Sequence, residues 1–92
     1  IEWAYIPHFY YKYYVFTYAN GLSAGIAFAE KIIKEGKTAQ DAYLGMLKGG
    51  SSKPPLELLK NAGLDMTKPD AIKSALNLFD KTVDELDQLL SN

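Results

Sequence analysis

The sequence predicts an all-α protein of four helices, and three observations carry that reading. Apolar residues recur at spacings of three and four along the chain, glycines stand where the periodic segments stop, and prolines or threonines stand where they start. No strand is expected. With 92 residues of which 48% are hydrophobic, the chain can form one domain at most and supplies enough apolar surface for a small core.

The first helix is expected to run from about Pro7 to Glu35. Proline suits a first helical turn because its missing N–H would be unpaired there anyway, and Gly36 can take the left-handed conformation common past a helix end. Its second half carries Leu22, Ile26, Ala29, Ile32 and Ile33 as an apolar stripe, with Glu30, Lys31, Lys34 and Glu35 towards water. Small residues crowd Ala19 to Ala27. Each glycine there costs about 1 kcal/mol of helix propensity relative to alanine, so the run is better explained by another backbone packing close.

Thr38 is expected to cap the second helix, with Asp41 three residues on, and Ala39, Ala42, Tyr43, Met46 and Leu47 form its buried side. It stops at Gly49-Gly50. The loop through Ser51, Ser52, Lys53, Pro54 and Pro55 leads into a short third helix, Leu56 to Ala62, closed by Gly63. A Gly-Gly-Ser-Ser loop could cradle an anion with free N–H groups, but the phosphate-loop spacing is absent and a plain connector is the better reading. Thr67 is expected to cap the last helix, with Pro69 in its first turn and Asp70 at the capping-box position. There Ile72, Ala75, Leu76, Phe79, Val83, Leu86 and Leu90 make the clearest amphipathic stripe of the chain, opposite Lys73, Asp80, Lys81, Asp84 and Asp87.

Composition excludes several functions. A formal net charge of −1 and the absence of arginine argue against a nucleic-acid surface. The apolar stretch from Tyr13 to Ala29 is broken by Thr17, Asn20, Gly21, Ser23 and Gly25, so neither a membrane span nor a signal peptide is expected. The lack of cysteine removes disulfides and thiolate ligands and fits a cytoplasmic location. The chain starts at Ile1 with its richest segment at the very beginning, as a piece of a longer protein would.

That segment holds the candidate chemistry. Trp3, Tyr5, Phe9, Tyr10, Tyr11, Tyr13, Tyr14, Phe16 and Tyr18 surround His8, the only histidine. A core needs apolar rings but not this many phenols, since each buried hydroxyl must find a partner. On a helix from Pro7, His8, Tyr11, Tyr14 and Tyr18 fall on one face, whereas Phe9, Tyr13 and Phe16 fall on another and are expected in the core. The imidazole reads either as a partly exposed residue of a helix N-terminus or as one of a set of donors. Phenols keep their proton at neutral pH and can donate to a carbonyl or a developing oxyanion. A metal site is not expected, because a catalytic zinc needs three protein ligands. A Ser-His-Asp arrangement is not expected either: Ser23, Ser51, Ser52, Ser74 and Ser91 stand in small-residue, loop or cap contexts.

The string Ile6-Pro7-His8-Phe9-Tyr10-Tyr11-Lys12-Tyr13-Tyr14-Val15-Phe16-Thr17-Tyr18-Ala19-Asn20-Gly21 resembles the C-terminal region of the oligoendopeptidase F group, zinc metallopeptidases of the M3 family. The likeness continues through Leu47-Lys48-Gly49-Gly50-Ser51-Ser52, Pro55-Leu56-Glu57-Leu58-Leu59-Lys60 and Ala62-Gly63-Leu64-Asp65-Met66-Thr67. It implies that residues 1–92 are a helical segment of a larger metallopeptidase catalytic domain, with zinc held by a His-Glu-x-x-His helix and a glutamate upstream. It further implies an oligopeptide substrate, held in part by residues on the matching positions, His8, Tyr10, Tyr11, Tyr14 and Tyr18. Phe16 departs from a tyrosine frequent there, which removes a hydroxyl from that position. The remainder of the peptidase chain would then be the partner of the small-residue run.

A reading from another class stands beside this one, a free-standing helical interaction module whose aromatic helix anchors a partner, since aromatic faces are common at interfaces. An exposed face of that kind also favours self-association. A His-Glu-x-x-His upstream in the parent gene separates the two. The isolated chain is expected to bind no zinc stoichiometrically, and calorimetric titration with zinc alone checks this; tight one-to-one binding would contradict it.

Overall fold

The computed structural model describes residues 1–91. Two 3₁₀ turns, Glu2–Tyr5 and Pro7–Tyr10, precede four α-helices: α1 (Phe16–Glu35), α2 (Lys37–Gly49), α3 (Pro55–Asn61) and α4 (Asp70–Ser91). No strand occurs among the described residues. The all-α expectation holds, and the ends of the second and third helices fall within a residue of where glycine chemistry puts them.

Each of these stops has a visible cause. Gly36 takes φ 72° and returns its N–H to the Ile32 carbonyl at 2.8 Å. Gly50 takes φ 51° after α2. At the end of α3, Gly63 takes φ 96°, its N–H meets the Lys60 carbonyl at 3.0 Å, and the Leu64 N–H meets the Leu59 carbonyl at 2.9 Å. This is the paired closure of a Schellman motif, in which a left-handed residue turns two late carbonyls onto later amides. The Lys31 ammonium donates to the Gly63 carbonyl at 3.1 Å and ties that closure to α1.

Four expectations are corrected. The first helix does not begin at Pro7: the chain makes 3₁₀ turns and a bend, and Tyr13 at φ 53° takes the left-handed conformation, so regular helix starts only at Phe16. Thr38 does not cap α2, which starts one residue earlier behind Gly36 with no side-chain cap. Asp41 pairs instead with Lys37 one turn back, at 3.1 Å. The Thr67 hydroxyl donates to the Asp65 carboxylate at 2.6 Å, beside the Thr67 N–H at 3.0 Å, and so is committed to a local turn rather than to α4. Those two hydrogen bonds hold the Asp65 carboxyl below its usual range against the opposing effect of burial, with lesser help from Lys60 and Lys68.

The fourth correction concerns which face of α1 is inside. The core is built from Phe28 of α1, Ala62 and Leu64 of the α3–α4 connection and Ala71 of α4, with Ala24, Ala27, Tyr43, Met46, Leu59 and Met66 around it. The rings of Phe28 and Tyr43 lie 5.2 Å apart at 53°. The stripe expected to be buried is only partly so: Ile26 and Ile32 are half-buried, whereas Leu22 is 68% and Ile33 85% exposed. Phe9, Tyr13 and Phe16 are likewise exposed rather than in the core. The reason is that α1 has apolar residues on more than one side, so periodicity alone does not choose the face that meets α2 and α4. Nothing lies within 4 Å of a Cβ built on Gly21 or Gly25, so the close backbone approach expected along Ala19 to Ala27 is not made at those two glycines, while Ser23 is buried and Ala24 and Ala27 pack against the core. Gly49 does have a tight neighbour: a Cβ there would come within 2.9 Å of the Leu58 side chain, where α2 meets α3.

Helix α4 lies along α1, where Ser74 donates a hydrogen bond to Glu30. Beyond that contact the apolar stripe of α4 stays exposed: Leu76 and Phe79 line an open groove with Leu22 and Ile26 of α1, and Val83, Leu86 and Leu90 are uncovered. The radius of gyration is 16.3 Å, against about 12 Å for a compact domain of this length. Phe28→Ala is expected to cost the chain about 3 kcal/mol, as emptying a buried aromatic site does, whereas Leu90→Ala should stay within about 0.5 kcal/mol. Urea unfolding midpoints of the two variants beside the parent check that order.

Candidate functional site

The candidate site is a knot of four polar rings at the start of the chain. The second 3₁₀ turn carries His8, the bend carries Tyr11 and Tyr14, and the first turn of α1 carries Tyr18. The bend is a four-residue turn closed by the Tyr14 N–H on the Tyr11 carbonyl at 3.2 Å, with Tyr13 as its left-handed third residue. It passes into α1 through further short-range bonds. The Phe16 N–H meets the Tyr13 carbonyl at 3.2 Å, and the Tyr14 carbonyl accepts both the N–H of Thr17 at 3.1 Å and its hydroxyl at 2.8 Å.

This path folds the chain back so that the rings meet. The His8 imidazole stacks on Tyr14 at 5.8 Å and 28°, and meets Tyr11 at 6.0 Å and Tyr18 at 6.1 Å, both edge-on. Tyr14 meets Tyr11 at 6.2 Å and Tyr18 at 5.8 Å, again edge-on. Offset and edge-on geometries at these separations place ring edges against ring faces, the favourable arrangement for aromatic quadrupoles. The same four residues that a helical face would align are therefore together, but through a turn and not through a helix.

Tyr10 is not among them. Its hydroxyl reaches back to the Ala4 carbonyl at 2.8 Å, which ties the two 3₁₀ turns to each other. Beside the knot lies an open apolar cleft of about 370 Å³ between Ile6, His8, Phe9, Val15 and Tyr18. Of its apolar wall, Phe9 was expected in the core and Ile6 and Val15 were given no place in a site; the only signal was that these residues interleave with the candidates. Within the knot, the Tyr18 phenol is raised above its ordinary 10.0, first because a neighbouring Tyr14 phenolate would repel its charge, then through desolvation and a hydrogen bond with Tyr14. The Tyr18 phenol thus keeps its proton through the neutral range.

Among the described residues no group of three histidine, cysteine or carboxylate side chains comes together as a metal site needs. His8 has phenols for neighbours, which are poor company for zinc. These residues do not fit a zinc centre, and no chemistry here is routed through one.

Comparison with known proteins bears on the whole chain. The family model described as "Peptidase family M3" matches residues 2–78. The chain belongs to peptidase family M3. It is 51% identical over 90 residues to oligopeptidase PepF of Bacillus subtilis (strain 168), covering 98% of this chain and 13% of that protein. It is 47% identical over 89 residues to the chromosomal oligoendopeptidase F of Lactococcus lactis subsp. cremoris, covering 97% of this chain and 15% of that protein. It is 44% identical over 90 residues to the group B oligopeptidase PepB of Streptococcus agalactiae, covering 98% and 15%. The chain thus spans about one seventh of the length of these M3 relatives. No solved structure gives a significant match. No helix among the described residues is long and apolar enough to cross a membrane.

The phenol coupling is directly testable. Titration of ring-labelled tyrosines by carbon NMR should give Tyr18 a midpoint above 10.0, and Tyr14→Phe should bring it back towards that value.

Proposed function

We propose that the protein is an oligoendopeptidase that hydrolyses short peptides internally, and that this chain forms one wall of its cleft. The observation that carries the proposal is the gathering of four polar rings beside an open apolar cleft, in a chain of peptidase family M3. In this reading the zinc and its ligands come from residues outside this chain, so the chain alone is inactive. The protein acts in the cytoplasm, in keeping with its lack of cysteine.

The role of the wall is to bind and orient. Peptide backbone presents carbonyls that accept hydrogen bonds, and the wall presents donors whose positions are set by one another through ring contacts. A donor fixed before the reaction costs no reorganisation as negative charge grows on the scissile oxygen, which is why such groups lower barriers more than mobile water does. Tyr11, Tyr14 and Tyr18 supply phenol donors and His8 an imidazole. Ile6, Phe9 and Val15 give the substrate side chains apolar surface. Tyr10 is assigned to holding the 3₁₀ turns, because its hydroxyl is already committed to Ala4.

In the full-length protein, Tyr→Phe at 11, 14 and 18 removes a hydroxyl and leaves the ring packing. At least one of these variants is expected to lower kcat on a short internally quenched peptide by about 100-fold, the usual cost of losing one oxyanion donor, with an unchanged thermal midpoint. Full turnover in all three would leave the knot as packing and remove the proposed role.

A further inference from the structure

We infer that Tyr13 is a positioning residue, whose left-handed backbone holds His8 against Tyr14 and Tyr18 while its own ring takes no part. The inference rests on the proposed function only for its effect on turnover; the geometric part stands without it. An α-helix advances about 1.5 Å per residue. On a continuous helix the backbone positions of His8 and Tyr18 would be separated by about 15 Å along the axis, and those of His8 and Tyr14 by about 9 Å. Ring centroids at 6.1 Å and 5.8 Å therefore call for the chain to leave the helical path between them.

It leaves between Tyr11 and Tyr13: Tyr11 is extended, at φ −84° and ψ 137°, and Tyr13 then reverses the sign of φ. Tyr13 is the only described non-glycine residue with positive φ, at 53°, and it is the third residue of the turn closed by Tyr14 on Tyr11. That position of a turn normally takes glycine or asparagine, because a Cβ crowds the backbone there. A bulky aromatic at such a position is unusual, and its side chain gains nothing in return from packing, being 86% exposed. A conformation that neither the residue type favours nor the side chain rewards is held by what surrounds it. Here those are the turn bond, the short-range bonds of Phe16 and Thr17, and the stacked rings on both sides. Strain of this kind persists where the surrounding structure over-determines it.

The test uses the full-length protein with 3-fluorotyrosine placed at position 18, so that the fluorine shift reports the ring environment independently of activity. Tyr13→Gly and Tyr13→Phe should keep the fluorine shift and keep kcat/KM within about threefold, the first because glycine accepts positive φ freely and the second because the backbone is unchanged. Tyr13→Val, whose branched Cβ resists that conformation, should move the signal to where His8→Ala puts it and lower kcat/KM at least tenfold. Tyr13→Gly folds without strain, so it keeps the claim falsifiable even if the valine variant misfolds. An unmoved signal in Tyr13→Val would overturn the inference. So would a tenfold loss of kcat/KM in Tyr13→Gly or Tyr13→Phe with the signal unmoved, since the ring itself would then be at work. A moved signal with unchanged turnover in Tyr13→Val would support the positioning role and sink the peptidase role of the knot.

Discussion

The site depends on the change of backbone direction between Tyr11 and Tyr13. His8 and Tyr18 are ten residues apart in sequence, yet their rings are 6.1 Å apart. The extended Tyr11 and the left-handed Tyr13 turn the chain, and the contacts of the His8 ring with Tyr14 and Tyr18 and the cleft beside them follow from the turn. A cluster assembled this way differs from a helical stripe in one useful respect. Along a stripe, polar tips project in parallel a turn apart, whereas here they converge and set one another's orientation. Preorganised donors require mutual constraint of that kind.

Behind the knot, α1 is the element on which both α2 and α4 pack. Its inner face brings Phe28 to Ala62, Leu64 and Ala71, so one helix binds α2, the α3–α4 connection and α4 at a single small core. Two polar ties support it: Lys31 holds the carbonyl of the left-handed Gly63, and Glu30 accepts from Ser74 of α4. Both come from consecutive residues of α1 and both fasten segments more than thirty residues away in sequence. The core is modest, with alanines for two of its four buried members. That modesty matches the outward-facing apolar residues of α1 and α4, and the radius of gyration of 16.3 Å. The relatives in peptidase family M3 are about seven times longer, and faces of this kind are what a segment of a larger helical body would present.

The sequence was most legible where a residue type carries its own conformational preference. Gly36, Gly50 and Gly63 take positive φ, so the ends of α1, α2 and α3 could be read one residue at a time. The capping assignments failed for the complementary reason. A hydroxyl that could cap a helix can also close a local turn, and Thr67 chose Asp65. The buried face of α1 failed as well, because a helix with apolar residues on several sides has no single hydrophobic direction. Neighbours then decide, and Phe28 found them where Leu22 and Ile33 did not.

By itself the sequence determined the all-α class, the punctuation between helices and the family, and it marked the segment in which a surplus of phenols surrounds a lone histidine. Only the tertiary structure decided how His8, Tyr11, Tyr14 and Tyr18 meet. The sequence assigned them to one helical face, and they meet instead across a turn with Tyr13 at its left-handed position. Nothing in the residue type announces that turn, because tyrosine ordinarily avoids positive φ. Its conformation is the outcome of contacts on both sides of it, and a preference imposed by surroundings cannot be read from the residue that bears it.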